Sequence, residues 1–208
     1  VFDSVFNRHC YERILLEAEM IIGLTGYAQS GKDTVANILV EKYGFIRVAF
    51  ADRIRDFLFE ANPMFDSVAG EPRFVREYVI HYGWEDAKKN PQIRRLLQNI
   101  GVAARNVFGE EFWVDQAMRQ LDTTNDYVIT DVRFKNEADA LKNMGEWVEG
   151  STTQLWRIKR LGVEAVNDHI SENELDDYKV DQIFTNNGTI EDLELMVKTR
   201  MMSYAKSE

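Results

Sequence analysis

The residues Gly26-Tyr27-Ala28-Gln29-Ser30-Gly31-Lys32-Asp33-Thr34 follow directly on the apolar run Ile21-Ile22-Gly23-Leu24. Glycines in such a loop let successive backbone N–H groups turn toward one anion, and a helix opening here adds the positive end of its dipole. Lys32 brings a mobile cation to the terminal phosphates of a nucleotide. Gly26, Ala28, Gln29, Ser30, Gly31, Lys32, Asp33 and Thr34 are therefore candidate nucleotide contacts. The spacing is that of the phosphate-binding loop G-x-x-x-x-G-K-[ST] with one departure: Asp33 stands where Ser or Thr usually holds Mg²⁺, and Thr34 follows it. Asp33 could approach such an ion directly or through water, while Thr34 could bond a phosphate oxygen. A glycine-rich helix start with a solvated lysine is the bland alternative; the agreement of strand, loop and helix signals favours the phosphate loop.

Other cations suit a second phosphate group. Arg53 and Arg55 lie just past the β-like run Phe45-Ile46-Arg47-Val48-Ala49-Phe50, and Arg94, Arg95 and Arg105 sit among apolar positions at helical spacing. Guanidinium forks match phosphate oxygens, so some of these face an acceptor phosphate and others face solvent. The run Tyr127-Val128-Ile129-Thr130-Asp131-Val132-Arg133 reads as a buried strand ending in an acid and a base. Asp131 is the candidate for organising Mg²⁺ or its waters, and Arg133 for reaching the acceptor; a capping Asp beside a surface Arg is the alternative. Lys159-Arg160 opens a charged loop that runs on to Asp168-His169-Ile170-Ser171-Glu172. Arg160 is the best candidate to meet charge building on a transferring phosphoryl group. His169 is either a phosphate donor or a helix-entry residue, and with no cysteine nearby a zinc role does not suit it. Ser171 with Asn173 and Glu174 reads more simply as a capping box.

The elements that would position these groups alternate. A strand, glycine-rich turn and helix from Met20 lead to the second β-like run at 45–50, a βαβ opening. The middle, from about Asp52 to Leu121, reads as several helices, with Ile54, Phe57 and Leu58, and then Ile93, Leu96, Leu97 and Ile100, at helical spacing. Strands follow at 127–130, 154–158 and near 182–185, with an amphipathic helix at about 136–144 and a last helix from about Ile190. This order predicts a mostly parallel sheet covered on both faces, with the ligand beyond the carboxyl ends of its strands.

With 208 residues, 45% hydrophobic and 29% charged, the chain suits one globular domain with a real core. No stretch approaches the roughly 20 apolar residues of a membrane span. A net charge of −10 argues against broad binding to a nucleic-acid backbone and leaves room for a local anion pocket. The single cysteine, Cys10, excludes an internal disulfide and fits a reducing, cytosolic setting. Residues 1–19 lack a basic segment followed by a clean apolar one, so they do not read as a secretory signal. They read as an accessory helix or an artefact of start-site choice, with the working domain beginning at Met20.

In order along the chain, Ser30-Gly31-Lys32-Asp33-Thr34, Arg94-Arg95-Leu96-Leu97-Gln98 with Gly101, Phe112-Trp113-Val114, Asp131-Val132-Arg133 with Glu137 and Ala138, Arg160 through His169-Ile170-Ser171, and Thr185-Asn186-Asn187-Gly188 resemble the phage deoxynucleoside monophosphate kinases. The resemblance implies an α/β, three-layer αβα P-loop fold of the nucleoside monophosphate kinase type. It would comprise a single domain over 20–208, a helical acceptor region at about 52–121 and a short lid at about 160–175. It further implies ATP as donor, Mg²⁺ as cofactor and a deoxynucleoside monophosphate as acceptor. Asn186, Asn187 and Gly188 would lie near the adenine, and Arg53, Arg55 and Arg133 on the acceptor side. Small-molecule nucleotides are the expected partners, with a homodimer compatible and host cytoplasm the expected location. A kinase of another small phosphorylated metabolite, such as dephospho-coenzyme A, would show the same loop and arginines. A nucleotide-binding regulator is the third reading, although the D-x-x-G and N-K-x-D patterns of a GTPase switch are missing from the sequence.

Overall fold

The computed structural model describes residues 20–67, 69–121, 125–147, 152–164 and 173–204. The lead segment 1–19 with Cys10, and the loop residues Asp168, His169 and Ser171, lie outside them. Contacts divide the chain into two compact units, Val1–Ala49 with Met118–Glu208, and Phe50–Ala117.

The first unit is built on a five-stranded parallel sheet. Its strands are β1 (Met20–Thr25), β2 (Ile46–Val48), β5 (Tyr127–Ile129), β6 (Thr152–Lys159) and β7 (Gln182–Thr185), in the order β2-β5-β1-β6-β7. Central β1 is buried along its whole length, as a parallel strand covered on both faces must be. It aligns Ile21 with Tyr127 of β5 and Thr25 with Arg157 of β6. Helix α1 (Lys32–Tyr43) packs Val35, Ile38 and Leu39 into one core with Ile22, Leu24, Trp156 and Phe184. Leu193 and Val197 of α7 (Ile190–Tyr204) join the same core. The alternate residues of β1 meet α6 (Lys135–Trp147), whose Leu141 lies over Gly23. Helices thus cover both faces of the sheet, the three-layer α/β arrangement expected.

The second unit holds α2 (Phe50–Ala61), a hairpin of β3 (Met64–Asp66) and β4 (Pro72–Phe74), α3 (Val75–Ala87), α4 (Pro91–Phe108) and most of α5 (Phe112–Met118). Its core gathers Leu58, Phe65, Val75, Val79, Ala87 and Ile93. Asn90 caps α4 by accepting from the N–H groups of Gln92 at 2.8 Å and Ile93 at 3.4 Å, and Pro91 fills the first helical position, where no N–H is needed.

Two expectations change. The middle third is not wholly helical: β3 and β4 pair antiparallel, but strands of three residues are too short for an alternating pattern to show. The β-like run 45–50 also shrinks to Ile46–Val48, because Phe50 already begins α2.

Candidate functional site

Since all five strands run in parallel, their carboxyl ends share one edge of the sheet, and four of them carry candidate groups from the sequence within this unit. The phosphate loop follows β1, Asp131 and Arg133 follow β5, Lys159 and Arg160 come at the end of β6, and Asn186, Asn187 and Gly188 follow β7. Such an edge is where open α/β sheets bind ligands.

The loop needs its glycines for shape. Gly26 (φ +134°) and Gly31 (φ +107°) occupy backbone conformations closed to most side chains. A Cβ on Gly26 would sit 2.2 Å from the carbonyl oxygen of Ile158, and one on Gly31 would sit 2.3 Å from Nδ2 of Asn186. Gln29 takes the left-handed region at φ 64°, and the N–H of Ser30 turns back to the carbonyl of Tyr27 at 3.2 Å. Among the described residues, no side chain caps the N-terminus of α1, and the buried Ser30 hydroxyl has no hydrogen-bond partner. An uncapped helix start behind a tight backbone cradle has the geometry that suits an anion. Lys32 reaches back across this cradle, its Nζ donating to the carbonyls of Gly26 at 2.6 Å and Tyr27 at 2.7 Å.

Asn186 and Asn187 brace the loops around it. Asn186 Nδ2 donates to the carbonyl of Ser30 at 2.9 Å, and the side-chain oxygen of Asn187 accepts from the N–H of Leu161 at 2.8 Å. Beside them Thr189 and Asp192 form a reciprocal cap that starts α7.

Two clefts of about 350 Å³ each open along the edge. One is lined by Gly26, Tyr27, Ser30, Arg133, Arg157, Lys159, Arg160 and Asp176, among others. Lys32, Asp33, Thr34, Asn186 and Gly188 are on the other, with Gln29 and Gly31. Arg160 borders both. Thus the structure brings the loop, Arg133, Arg160 and the 186–188 turn to one place. Ala28 is exposed at the first cleft and Asp33 is exposed at the second.

Asp131 is half-buried on the turn after β5, where the N–H of Thr130 donates to the carbonyl of Val48 and that of Val132 to the carbonyl of Leu24. Arg133 is exposed, and its backbone is fixed by Glu137. This buried carboxylate accepts from the N–H groups of Arg133 at 2.7 Å and Phe134 at 3.0 Å. Glu174 accepts from the N–H of Lys135 at 3.1 Å, at the start of α6. Among the described residues, no three His, Cys, Asp or Glu side chains gather as a metal site.

The remaining arginines belong to the helical unit. On α2, Arg53 pairs with Asp56 at 3.1 Å and Arg55 with Asp52 at 2.9 Å. On α4, Arg94 and Arg95 are exposed and Arg105 is half-buried in the last turn. Ile54 of α2 lies 3.3 Å from where a Cβ on Gly101 of α4 would be, so the two arginine-bearing helices are packed together.

Three residues of the first cleft, Arg157, Tyr27 and Asp176, are not among the site residues expected from the sequence. Arg157 donates to the carbonyls of Leu175, Asp176 and Tyr178, at 3.0 Å for Asp176 and 2.9 Å for Tyr178. The Tyr27 hydroxyl donates to Asp176 at 2.8 Å. An arginine inside the apolar run of β6 is the signal that could have found the group.

Compared with known proteins, residues 65–197 match the family model described as deoxynucleotide monophosphate kinase. An Acanthamoeba polyphaga mimivirus protein carrying a provisional deoxynucleotide monophosphate kinase name is 31% identical over 199 residues, spanning 83% of this chain and 91% of its own. The deoxynucleotide monophosphate kinase of Escherichia phage RB69 is 32% identical over 107 residues, 49% of this chain and 41% of that one. Among solved structures, Aquifex aeolicus shikimate kinase aligns at 12% identity with a TM-score of 0.42 over 91% of this chain and 100% of its own.

Proposed function

Because this chain belongs to the deoxynucleotide monophosphate kinase family, we propose that it transfers the γ-phosphoryl group of ATP to the 5′-phosphate of a deoxynucleoside monophosphate. An acceptor phosphate oxygen forms a bond to the γ-phosphorus while the bond to the β,γ-bridging oxygen breaks, giving a deoxynucleoside diphosphate and ADP. The acceptor phosphate is ionised near neutral pH, so position and charge, rather than a strong general base, carry the reaction.

The observation that carries this reading is the shared border of the two clefts. Arg160 flanks the one that contains Lys32 and Thr34 as well as the one that contains Arg133. The loop from Gly26 to Thr34 receives the ATP phosphates on backbone N–H groups, with the orphaned Ser30 hydroxyl a donor ready for the same anion. Lys32 leaves its carbonyls for the β- and γ-phosphates. Arg160 meets the charge on the transferring group, and Arg133 holds the acceptor phosphate. Arg53, Arg55, Arg94, Arg95 and Arg105 are the acceptor cations of the helical unit. The 186–188 turn supports the adenine end. The whole of 20–208 works as one kinase domain, in the host cytoplasm that the viral relatives suggest.

Asp33 and Asp131 offer hard oxygen donors that suit Mg²⁺ held mainly by nucleotide phosphates and water. When bound, the ion would neutralise β- and γ-phosphate charge.

Release of ADP from ATP and Mg²⁺, measured with each deoxynucleoside monophosphate, each ribose counterpart and dephospho-coenzyme A, tests the reading. Stimulation by one or a few deoxy acceptors is expected. Stimulation by dephospho-coenzyme A alone, or by none, overturns it.

A further inference from the structure

Asp176 places a carboxylate in a cleft otherwise suited to phosphate. It lines the same space as Arg133 and Arg160, where a free negative charge would oppose an anionic substrate. Its contacts suggest another use. One carboxylate oxygen accepts from the Tyr27 hydroxyl at 2.8 Å, and its backbone carbonyl accepts from Arg157 at 3.0 Å. Arg157 lies opposite Thr25 in the sheet register, so the segment bearing Asp176 is pinned to the end of the strand that feeds the phosphate loop. Tyr27 is itself a loop residue, and its carbonyl accepts from both Lys32 Nζ at 2.7 Å and the Ser30 N–H at 3.2 Å.

We propose that Tyr27 is a positioning residue: anchored through its hydroxyl to Asp176, it fixes the loop backbone that aims Lys32 and the Ser30 N–H at the phosphates. The chain of contacts runs from Arg157 to Asp176, to the Tyr27 hydroxyl, and through the Tyr27 peptide to Lys32. The hydroxyl is raised above the ordinary tyrosine pKa, first by the bond to Asp176 and then by burial, so it remains a donor throughout the neutral range. Nothing in this role touches the reacting atoms. It acts on how often the cradle is correctly shaped, a quantity to which phosphoryl transfer is sensitive because small misplacements of a catalytic group cost rate steeply.

The proposal rests on the kinase reading, and the test separates the two. With ATP and acceptor saturating, Tyr27→Phe and Asp176→Ala should each lower kcat about tenfold or more, with less than about a threefold change in either KM. Asp176→Asn, whose amide oxygen still accepts from the hydroxyl, should recover most of kcat. The double variant Tyr27→Phe/Asp176→Ala should be no slower than the worse single, because both remove one link. Full kcat in Tyr27→Phe, or additive losses in the double variant, overturns the proposal. Hydrogen exchange of the amides from Gly26 to Thr34 needs no acceptor. Faster exchange in Tyr27→Phe and Asp176→Ala, but not in Asp176→Asn, supports the link even if every acceptor fails. Equal protection in the wild type and all three variants overturns it.

Discussion

The side-chain amide of Asn186 donates to the backbone carbonyl of Ser30 at 2.9 Å, joining the turn after the last strand to the phosphate loop across 156 residues of chain. The join is tight: a Cβ on Gly31 would lie 2.3 Å from the same amide nitrogen. Gly31→Ala should therefore abolish measurable ATP binding, and Asn186→Ala should weaken it about tenfold while costing about 1 kcal/mol of stability. Combining them should restore little, because the alanine introduced by Gly31→Ala would still be held at a positive φ that costs on the order of 1–3 kcal/mol. Calorimetric ATP titration with thermal melts checks all three. Wild-type affinity in Gly31→Ala would show that this clasp does not shape the site.

This clasp is half-legible in the sequence. The loop is readable because its glycines, lysine and flanking strand are contiguous, and β7 because the apolar pair Ile183-Phe184, followed by β-branched Thr185, stands between polar turns. Resemblance alone places the turn after it near the nucleotide. That Asn186 grips the loop backbone and Asn187 the N–H of Leu161 depends on β6 and β7 being neighbours, which no local pattern encodes. Arg157 is half-legible in the same way. Its isolated charge in Leu155-Trp156-Arg157-Ile158 is visible, while its three carbonyl partners lie 18, 19 and 21 residues further on. Short β3 and β4 escape because three-residue strands carry too little period to read, and Pro72 argues against a strand.

Lys32 and Arg160 differ in what they give the fold. Lys32 is half-buried with two short bonds to loop carbonyls, whereas Arg160 is exposed at the end of β6. Lys32→Ala and Arg160→Ala should each reduce kcat by roughly 10²–10⁴, with the melting temperature of Arg160→Ala unchanged. Arg160→Lys keeps the charge but loses the planar fork, and should fall between. Steady-state rates on the best acceptor check this, and normal turnover in both alanine variants would refute the assignments.

Glu137 controls Arg133 from behind. Its buried carboxylate takes the N–H groups of Arg133 and Phe134, starting α6 and fixing the backbone from which the Arg133 side chain leaves. Removing it leaves two donors unsatisfied, a loss of about 1–3 kcal/mol. Glu137→Ala should lower the urea midpoint accordingly and raise the acceptor KM several-fold while the ATP KM stays near wild type. Glu137→Gln, which retains an acceptor oxygen, should lose about half as much stability. An acceptor KM unmoved by Glu137→Ala would mean that Arg133 does not hold the acceptor, or does not depend on this turn.

Tyr178 sets an alkaline limit on the segment that carries Asp176. Its hydroxyl donates to Asp139 at 2.5 Å, and the Lys142 ammonium sits 4.2 Å from the centre of its ring. Burial first, then the bond to Asp139 and the charges of Asp139 and Asp181, raise its pKa well above the ordinary value. The folded protein therefore holds the phenol proton more tightly than the unfolded chain, which releases it near pH ~10. This contribution is therefore complete below about pH 10 and declines as pH climbs from there toward the folded pKa. Tyr178→Phe loses the hydrogen bond, about 1 kcal/mol at neutral pH, but has no proton to lose. The stability gap between wild type and variant should be constant from about pH 7 to 9 and narrow above about pH 10. There Tyr27 and Tyr204, whose pKa values are also raised, still weaken both proteins. Urea midpoints across that range measure the gap, and a gap that does not narrow would show that the Tyr178 phenol is not held in its neutral form by the fold.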